Sequence, residues 1–500
     1  MNKLCSNLFL KNRHFANLFI PKPYSTSLED TEKIKKFRER QRLRKEISEE
    51  RAGEKTFMML KDEMGRLKKG EFSLPEPKLP RYSEYVIIGG GIIGSSIAYA
   101  MKNRAPESFD LMVVERDPKY TRSSSALSVG GIRQQFSLPE NIELSLYSSE
   151  FLRNVKQHLS ILDDDPPDIS FQPHGYLFLA TEAGAEQIIQ NHRLQTELGA
   201  KIELYRPKQL KEKFPWLNVE GIELGAYGVE NEGWFDPWAL LSAFKKKACS
   251  LGANYVNAEV IGFEFEDRNP ILGPERGDPL LRTNYMYVKD DEGEVQCIEF
   301  AFLVVAGGAY SAEIARMLNI GTGRGPLAVP LPVEPRKRYV YVFNCPNGPS
   351  LDMPLIVDPT GTYVRREGLG GKYICGRSPA AGEEPDVSNL EVDYNFFEKE
   401  VWPSLAKRVP AFEAVKVSSA WAGYYDYNTF DQNAIVGMHP YFPNIYFATG
   451  FSGHGIQMAP AIGRAMMELL IDKEYTTLDL KRFSMKRVFN DHPIYEQNIV

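Results

Sequence analysis

Gly89, Gly91 and Gly94 stand at the spacing G-x-G-x-x-G directly after the apolar run Tyr85-Val86-Ile87-Ile88, and Glu115 lies 21 residues beyond the last of them. Residues of these types in this order can bind a dinucleotide. Gly89 permits a tight turn, Gly91 lets the backbone approach a pyrophosphate, and Gly94 lets a helix pack closely on a strand. Ile92 and Ile93 sit between the glycines, at the helix N-terminus that faces the phosphate charge. A second apolar run, Asp110 to Val114, ends at Glu115 and Arg116. An acid at that distance binds ribose hydroxyls and repels a 2′-phosphate. Strand, glycines, helix, strand and acid together are specific where a glycine motif alone is weak. They also explain why the apolar stretch from Tyr85 is not a membrane span. The unit by itself leaves NAD and FAD both open.

Three further glycine turns, at Gly130-Gly131, Gly307-Gly308 and Gly450 to Gly455, bring backbone N–H groups close to a ligand without side-chain obstruction. Such donors stabilise negative charge. The segments around them are Ser125-Ala126-Leu127-Ser128-Val129-Gly130-Gly131-Ile132-Arg133, Phe302 to Ser311, and Ala448-Thr449-Gly450-Phe451-Ser452-Gly453-His454-Gly455-Ile456. With the first unit and with Tyr363-Val364-Arg365-Arg366-Glu367-Gly368, they make five segments in order across residues 84–470. In that order and spacing the chain resembles the FAD-dependent oxidoreductases of the D-amino-acid oxidase, glycine oxidase and sarcosine dehydrogenase group.

The resemblance implies FAD as the cofactor. It implies contacts from Gly89, Gly91, Ile92, Ile93, Gly94, Glu115, Arg116, Ser125, Ser128, Gly130, Gly131, Val260, Gly307, Gly308, Gly450, Ser452, Gly453, His454, Gly455 and Ile456. Some relatives hold the flavin covalently through a histidine or a cysteine. The matching positions here are Ser128 and Gly423, so non-covalent FAD is expected. Where sarcosine oxidases carry a lysine for the substrate carboxylate, this chain has Gln457. Arg133 and Arg365 are then the candidate carboxylate partners, since a guanidinium binds a carboxylate in bidentate fashion. Tyr341 and Tyr425 are candidate lining residues, each with an apolar ring and a hydroxyl, although alternation in Tyr339-Val340-Tyr341-Val342 does not say which face Tyr341 takes. Arg336, Arg338 and Arg366 are expected in ion pairs. His454 is expected beside the flavin and not as a base, and Asp431 as a tie for the loop that precedes it.

The elements that must position these groups follow from the pattern. The expected class is α/β, α+β overall. A discontinuous Rossmann-like FAD-binding domain spans residues 84–140, 236–329 and 416–480. A second, antiparallel β-rich substrate domain spans 141–235 and 330–415, and 481–500 form a C-terminal tail. Helices are expected from Ser95 to Lys102, from Pro237 to Gly252 and from Pro460 to Leu470. The flavin ring would lie at the domain interface, where ligand pockets tend to form.

The 500 residues, 43% hydrophobic and 25% charged, have ordinary globular composition. The net charge of −6 argues against nucleic acid as a partner, and no apolar run is long enough for a transmembrane span. Five scattered cysteines without a C-x-x-C pair, and seven histidines without an H-x-x-x-H pair, give no metal site. Residues 1–28 carry Lys3, Lys11, Arg13 and Lys22 and no acid, as mitochondrial transit peptides do. Residues 29–83 read as a charged helix or linker that ends at Pro75, Pro77 and Pro80. A closer resemblance, to a mitochondrial subgroup of the same family, lies in residues 131–141, 232–238, 332–342 and 421–431. It implies a place in the matrix or on the matrix face of the inner membrane. It also implies a role in assembly of respiratory complex I, with complex I subunits or assembly intermediates as partners. Three functions stay open: oxidation of a small amine or amino acid, an FAD-binding assembly factor or chaperone without turnover, and oxidation of a 2-hydroxy acid.

Overall fold

The strand Tyr82–Ile88 is buried on both faces beyond its first residues, as an apolar run in a parallel sheet must be. It pairs in parallel with Leu111–Glu115 on one side and with Val295–Val305 on the other. Ile445–Thr449 continues the sheet in parallel beyond Val295–Val305, and Ile435–Met438 closes that edge antiparallel. In the computed structural model, residues 28–49, 79–267 and 281–497 are described.

Two long strands serve two layers each. Asn254–Asp267 begins in parallel beside Leu111–Glu115 and then, from Ala258 onward, pairs antiparallel with Leu281–Asp290. Val295–Val305 starts antiparallel to Leu281–Asp290 and ends in the central sheet. The result is a parallel sheet whose two flanking strands run out into a three-stranded meander.

The helix after the first strand is Ile92–Arg104, so it begins inside the glycine motif, earlier than the expected Ser95. It crosses Gly455–Met467, where a Cβ on Gly463 would lie 2.2 Å from Ser96 Oγ. This second helix starts one turn before the expected Pro460 and carries the proline inside it. The turn in which His454 N donates to Phe451 O (3.0 Å) ends at His454, the N-cap from which the helix starts. With Pro237–Ser250, these helices cover one face of the sheet. Tyr85, Ile87, Ile97, Phe244, Ile462 and Met466 interlock there, while Val86, Ile88, Val114, Leu303 and Phe447 fill the opposite face. Each such side chain contributes about 1.5–3 kcal/mol on burial.

The second sheet has eight strands in the order Lys416–Asn428, Val333–Asn344, Lys372–Gly376, Tyr363–Glu367, Leu355–Val357, Tyr176–Ala180, Leu224–Gly228 and Ile202–Tyr205. Only Leu355–Val357 beside Tyr176–Ala180 is a parallel pairing, so this is the antiparallel β-rich half of the α/β chain. Residues 141–235 contain more helix than the alternation at Tyr176 to Leu179 suggests. Glu182–Glu197 and Pro207–Lys213 intervene, because most of their side chains are polar and stay at the surface.

Pro75–Val500 is one compact unit. The helix Leu28–Glu49 belongs to another and is charged along its length, as expected of a solvated helix. The remainder of the expected leader and linker, 1–27 and 50–78, lies outside the described residues. Among the described residues no helix is long and apolar enough to cross a membrane, and no cluster of three or more histidine, cysteine or acidic side chains could hold a metal ion.

Candidate functional site

A cavity of about 590 Å³ opens between the C-terminal ends of the central strands and the face of the second sheet. One end is built by backbone. Gly89, at φ +103°, turns the chain beneath Ala306, whose carbonyl oxygen would sit 2.4 Å from any Cβ there. Gly94 packs against the same turn, where a Cβ would meet Gly89 O at 1.9 Å. Glu115 lines this end and its carboxylate is fixed by two N–H donors, Gly90 N at 2.8 Å and Asp117 N at 2.8 Å. Burial raises its pKa above the usual carboxylate range. Arg116 lies 3.9 Å over the Tyr310 ring, and Val260 completes the wall. Ser125 reaches across to accept from Ile92 N at 3.0 Å.

The other end is built by side chains from distant segments. Arg133 is 2% exposed, with its guanidinium 4.3 Å from the Phe136 ring and 4.9 Å from the Phe178 ring. Its Nη1 donates to Gln135 O at 2.5 Å and its Nη2 to His454 Nε2 at 3.1 Å. A guanidinium has no acceptor, so Nε2 accepts and the imidazole is neutral with its proton on Nδ1. Burial, and then the Arg133 charge, push the His454 pKa down to about 3. Gln457 Oε1 accepts from Arg133 N at 2.8 Å, so this side chain anchors the arginine's backbone. Tyr425 lies against the glycine turn, 2.6 Å from where a Gly453 Cβ would be. Asp426 Oδ2 accepts from Gly450 N at 2.9 Å and Phe451 N at 3.1 Å, and burial raises its pKa to about 6.

Residues 84–469 match the family described as FAD dependent oxidoreductase. The chain belongs to the FAD dependent oxidoreductase family. It is 52% identical over 428 residues to the FAD-dependent oxidoreductase domain-containing protein 1 of Xenopus laevis, covering 84% of this chain and 85% of that one. It is 26% identical over 414 residues to the glycine oxidase of Bacillus subtilis (strain 168), covering 82% and 98%. Among solved structures it resembles the L-proline dehydrogenase from P. horikoshii, at TM-score 0.69 and 26% identity over 83% of this chain and 100% of that one.

The cavity fits the FAD of this family of oxidoreductases. The helix Ile92–Arg104 has no acidic residue in its first turn to oppose a pyrophosphate, and the glycine turn leaves no side chain in the way. Glu115 and Arg116 would hold the ribose and Val260 would border the adenine. Ser125, Ser128, Gly131, Gly307, Gly308, Ser452, Gly453, His454, Gly455 and Ile456 all line the path toward Arg133. Ser128 and Gly423 both face the cavity and neither can form a covalent flavin bond, so FAD is held non-covalently.

Not every expected contact lies on the wall. Gly94 serves packing, Gly130 sits under Phe235 O, where a Cβ would be 2.1 Å away, and Gly450 holds Asp426. Tyr341 is outside the cavity. On Val333–Asn344 the residues Arg338 and Val340 face it, whereas Tyr339, Tyr341 and Phe343 enter the apolar cluster behind, and Tyr341 Oη donates to Asp393 O at 2.5 Å. Arg365 stands one layer back. It donates from Nε to Val129 O at 3.0 Å and pairs with Glu367. Arg133, Tyr425 and Gln457 therefore share one pocket that Arg365 supports from behind. Among the wall residues that the sequence does not single out, Tyr176, Tyr363 and Arg338 stand at the Arg133 end. Arg338 is in the expected ion pair, bidentate to Glu384 at 2.6 and 3.0 Å, but it is buried at the pocket. Its alternation with Val340 was the available signal. Asp431 forms its tie through Arg487, at 2.7 and 2.9 Å.

Proposed function

We propose that this chain oxidises a C–N bond of a small amino acid or N-methylated amine, with bound FAD accepting the hydride from the carbon next to nitrogen. Arg133 binds the substrate carboxylate and Tyr425 and Tyr176 flank the carbon skeleton. The observation that carries the choice of bond is the Arg133–His454 contact. His454, the one imidazole among the described lining residues, has its Nε2 engaged by a cation, and the Asp426 carboxylate is engaged by backbone N–H groups. Oxidation of a 2-hydroxy acid needs a base within reach of the hydroxyl proton. An amine that enters as the free base brings its own lone pair and needs none. Its α-carbon loses a hydride, the nitrogen lone pair forms the C=N bond, and water later hydrolyses the imine.

Anaerobic addition of glycine, N-methylglycine, N,N-dimethylglycine and proline to the holoprotein tests this. Loss of the flavin absorbance with one of them supports the reading. Absence of bleaching across the panel, with bleaching by lactate or glycolate, replaces it with hydroxy-acid oxidation.

We also propose a mitochondrial location, at the matrix or the matrix face of the inner membrane, and a role in assembly of respiratory complex I. The first is supported by the basic, acid-free composition of residues 1–28, the second by the four segments that resemble the mitochondrial subgroup. In a reading without turnover, FAD stabilises the fold by binding only the folded state. Import assays with and without residues 1–28 test the location. Complex I levels in cells given either the intact chain or an Arg133→Met chain separate assembly with turnover from assembly without it.

A further inference from the structure

The segment after Phe483 is not a loose tail. Its short helix Lys486–Phe489 presents Arg487, buried against Asp431 and donating also to Asn433 O at 2.9 Å. Farther on, Ile494 N donates to Asp431 Oδ2 at 3.1 Å, and Asn433 Nδ2 donates to Ile494 O at 2.5 Å. The chain then reaches Glu496, which is 8% exposed. Glu496 Oε1 accepts from Ser137 N at 2.7 Å, and Oε2 accepts from Leu138 N at 3.2 Å and from Asn141 Nδ2 at 3.0 Å. Gln497 N donates to Ser137 Oγ at 2.8 Å.

Ser137 and Leu138 precede the helix Pro139–Arg153, whose N-cap residue Leu138 has no side chain able to cap it. Glu496 therefore takes up, from far along the chain, the two N–H groups that lead into that helix, at the end where a carboxylate complements the helix dipole. The same residues end the loop that begins at Arg133. From that helix Ser145 Oγ donates to Arg133 O, and inside the loop Arg133 Nη1 donates to Gln135 O and Phe136 stacks under the guanidinium. From the other side Glu232 accepts from Gln134 N at 2.6 Å and Gln135 Nε2 at 2.8 Å. The Arg133 loop is thus clamped between two buried carboxylates, one of them delivered by the C-terminal strap.

We infer that Glu496 is a positioning residue for substrate binding: through Ser137, Leu138 and Asn141 it fixes the loop that aims the Arg133 guanidinium at a carboxylate. The inference rests on the reading of Arg133 as the carboxylate partner. It gives the strap a part in the pocket that its place outside the cavity does not suggest. Glu496→Gln retains one acceptor but turns an N–H₂ toward Leu138 N or Asn141 Nδ2, so donor faces donor.

The test uses the FAD-loaded full chain and acetate as probe, followed by the change in the visible flavin spectrum. Glu496→Gln is expected to keep its FAD content and to raise the acetate Kd about tenfold, as loss of a supporting charge contact does. Arg133→Met is expected to raise it more. A Glu496→Gln protein with lowered Tm and unchanged acetate Kd has lost a structural contact only, and overturns the inference while the Arg133 reading stands. An unchanged Kd in Arg133→Met, or an unchanged wild-type spectrum on adding acetate, overturns that reading and the inference with it. Should Glu496→Gln fail to fold, Asn141→Ala removes one donor to Glu496. A raised Kd in that variant supports the inference and an unchanged one overturns it.

Discussion

The two ends of the cavity are made differently. At the nucleotide end most contacts come from one stretch of sequence, Gly89 to Arg116, closed by Ser125, Val260 and the turn at Ala306, and the backbone makes many of them. At the ring end Arg133, Tyr176, Tyr363, Tyr425 and Gln457 arrive from separate segments, and their positions depend on side-chain contacts between them. A cofactor shared by a whole family needs only a fixed backbone cradle, whereas a substrate is chosen by side chains that can be exchanged one at a time.

That contrast can be broken by removing the ties of the ring end alone. Arg487→Met takes the cation from the buried Asp431 carboxylate, and should cost about 3–5 kcal/mol of stability in urea unfolding. The loss should leave the nucleotide-end contacts intact, so FAD affinity measured below the transition should change little. Glu232→Gln acts through pH. Burial raises the Glu232 pKa from 4.5 to about 7. The folded protein then keeps a proton that the unfolded chain has released, and stability falls as pH rises through that window and levels off above it. The variant lacks this slope and should gain on the wild type, by on the order of 3 kcal/mol between about pH 5 and pH 8, read from urea midpoints.

Arg133→Met should weaken carboxylate binding by about 2–3 kcal/mol, roughly thirty- to 140-fold in Kd, while the FAD content stays full. Gly94→Ala tests the opposite end. Its methyl would press on Gly89 O, and a cost of about 1–3 kcal/mol should appear as weaker FAD binding in equilibrium dialysis. The smallest effect is expected at Tyr341→Phe, which loses the hydrogen bond to Asp393 O and about 1 kcal/mol of stability. Its acetate Kd should match the wild type, since the ring lies behind the cavity wall. A shifted Kd there would put Tyr341 back into the site.

The nucleotide end was legible because its information is local. Strand, turn, helix and acid follow one another in sequence, and each glycine answers a clash that the spacing already implies. The ring end was legible only in its inventory. Alternation in the strand holding Tyr339 and Tyr341 gave the period but not the phase, and the phase is set by packing against Phe397 and Tyr394. The sequence points to Arg365 for the carboxylate and to Arg338 for an ion pair, but which of them reaches the cavity depends on strand register across residues separated widely in sequence. The helix through Pro460 begins early because the positive-φ turn at Ser452 and Gly453 ends at His454, whose backbone is already helical. The role of the last residues had no local signal at all, because Glu496 acts on Ser137 and Leu138 from the other end of the chain.

The two-layer strands also fix an order of events during synthesis. Tyr85 and Phe302 are neighbours in the central sheet, so the first strand leaves the ribosome long before its partner on that side exists. The nucleotide turn must wait for Ala306 before its roof is in place, and the Arg133 loop waits longer still, for Glu496. The growing chain therefore completes the glycine turn of the nucleotide end well before its substrate pocket, which stays unfinished until Glu496 is made.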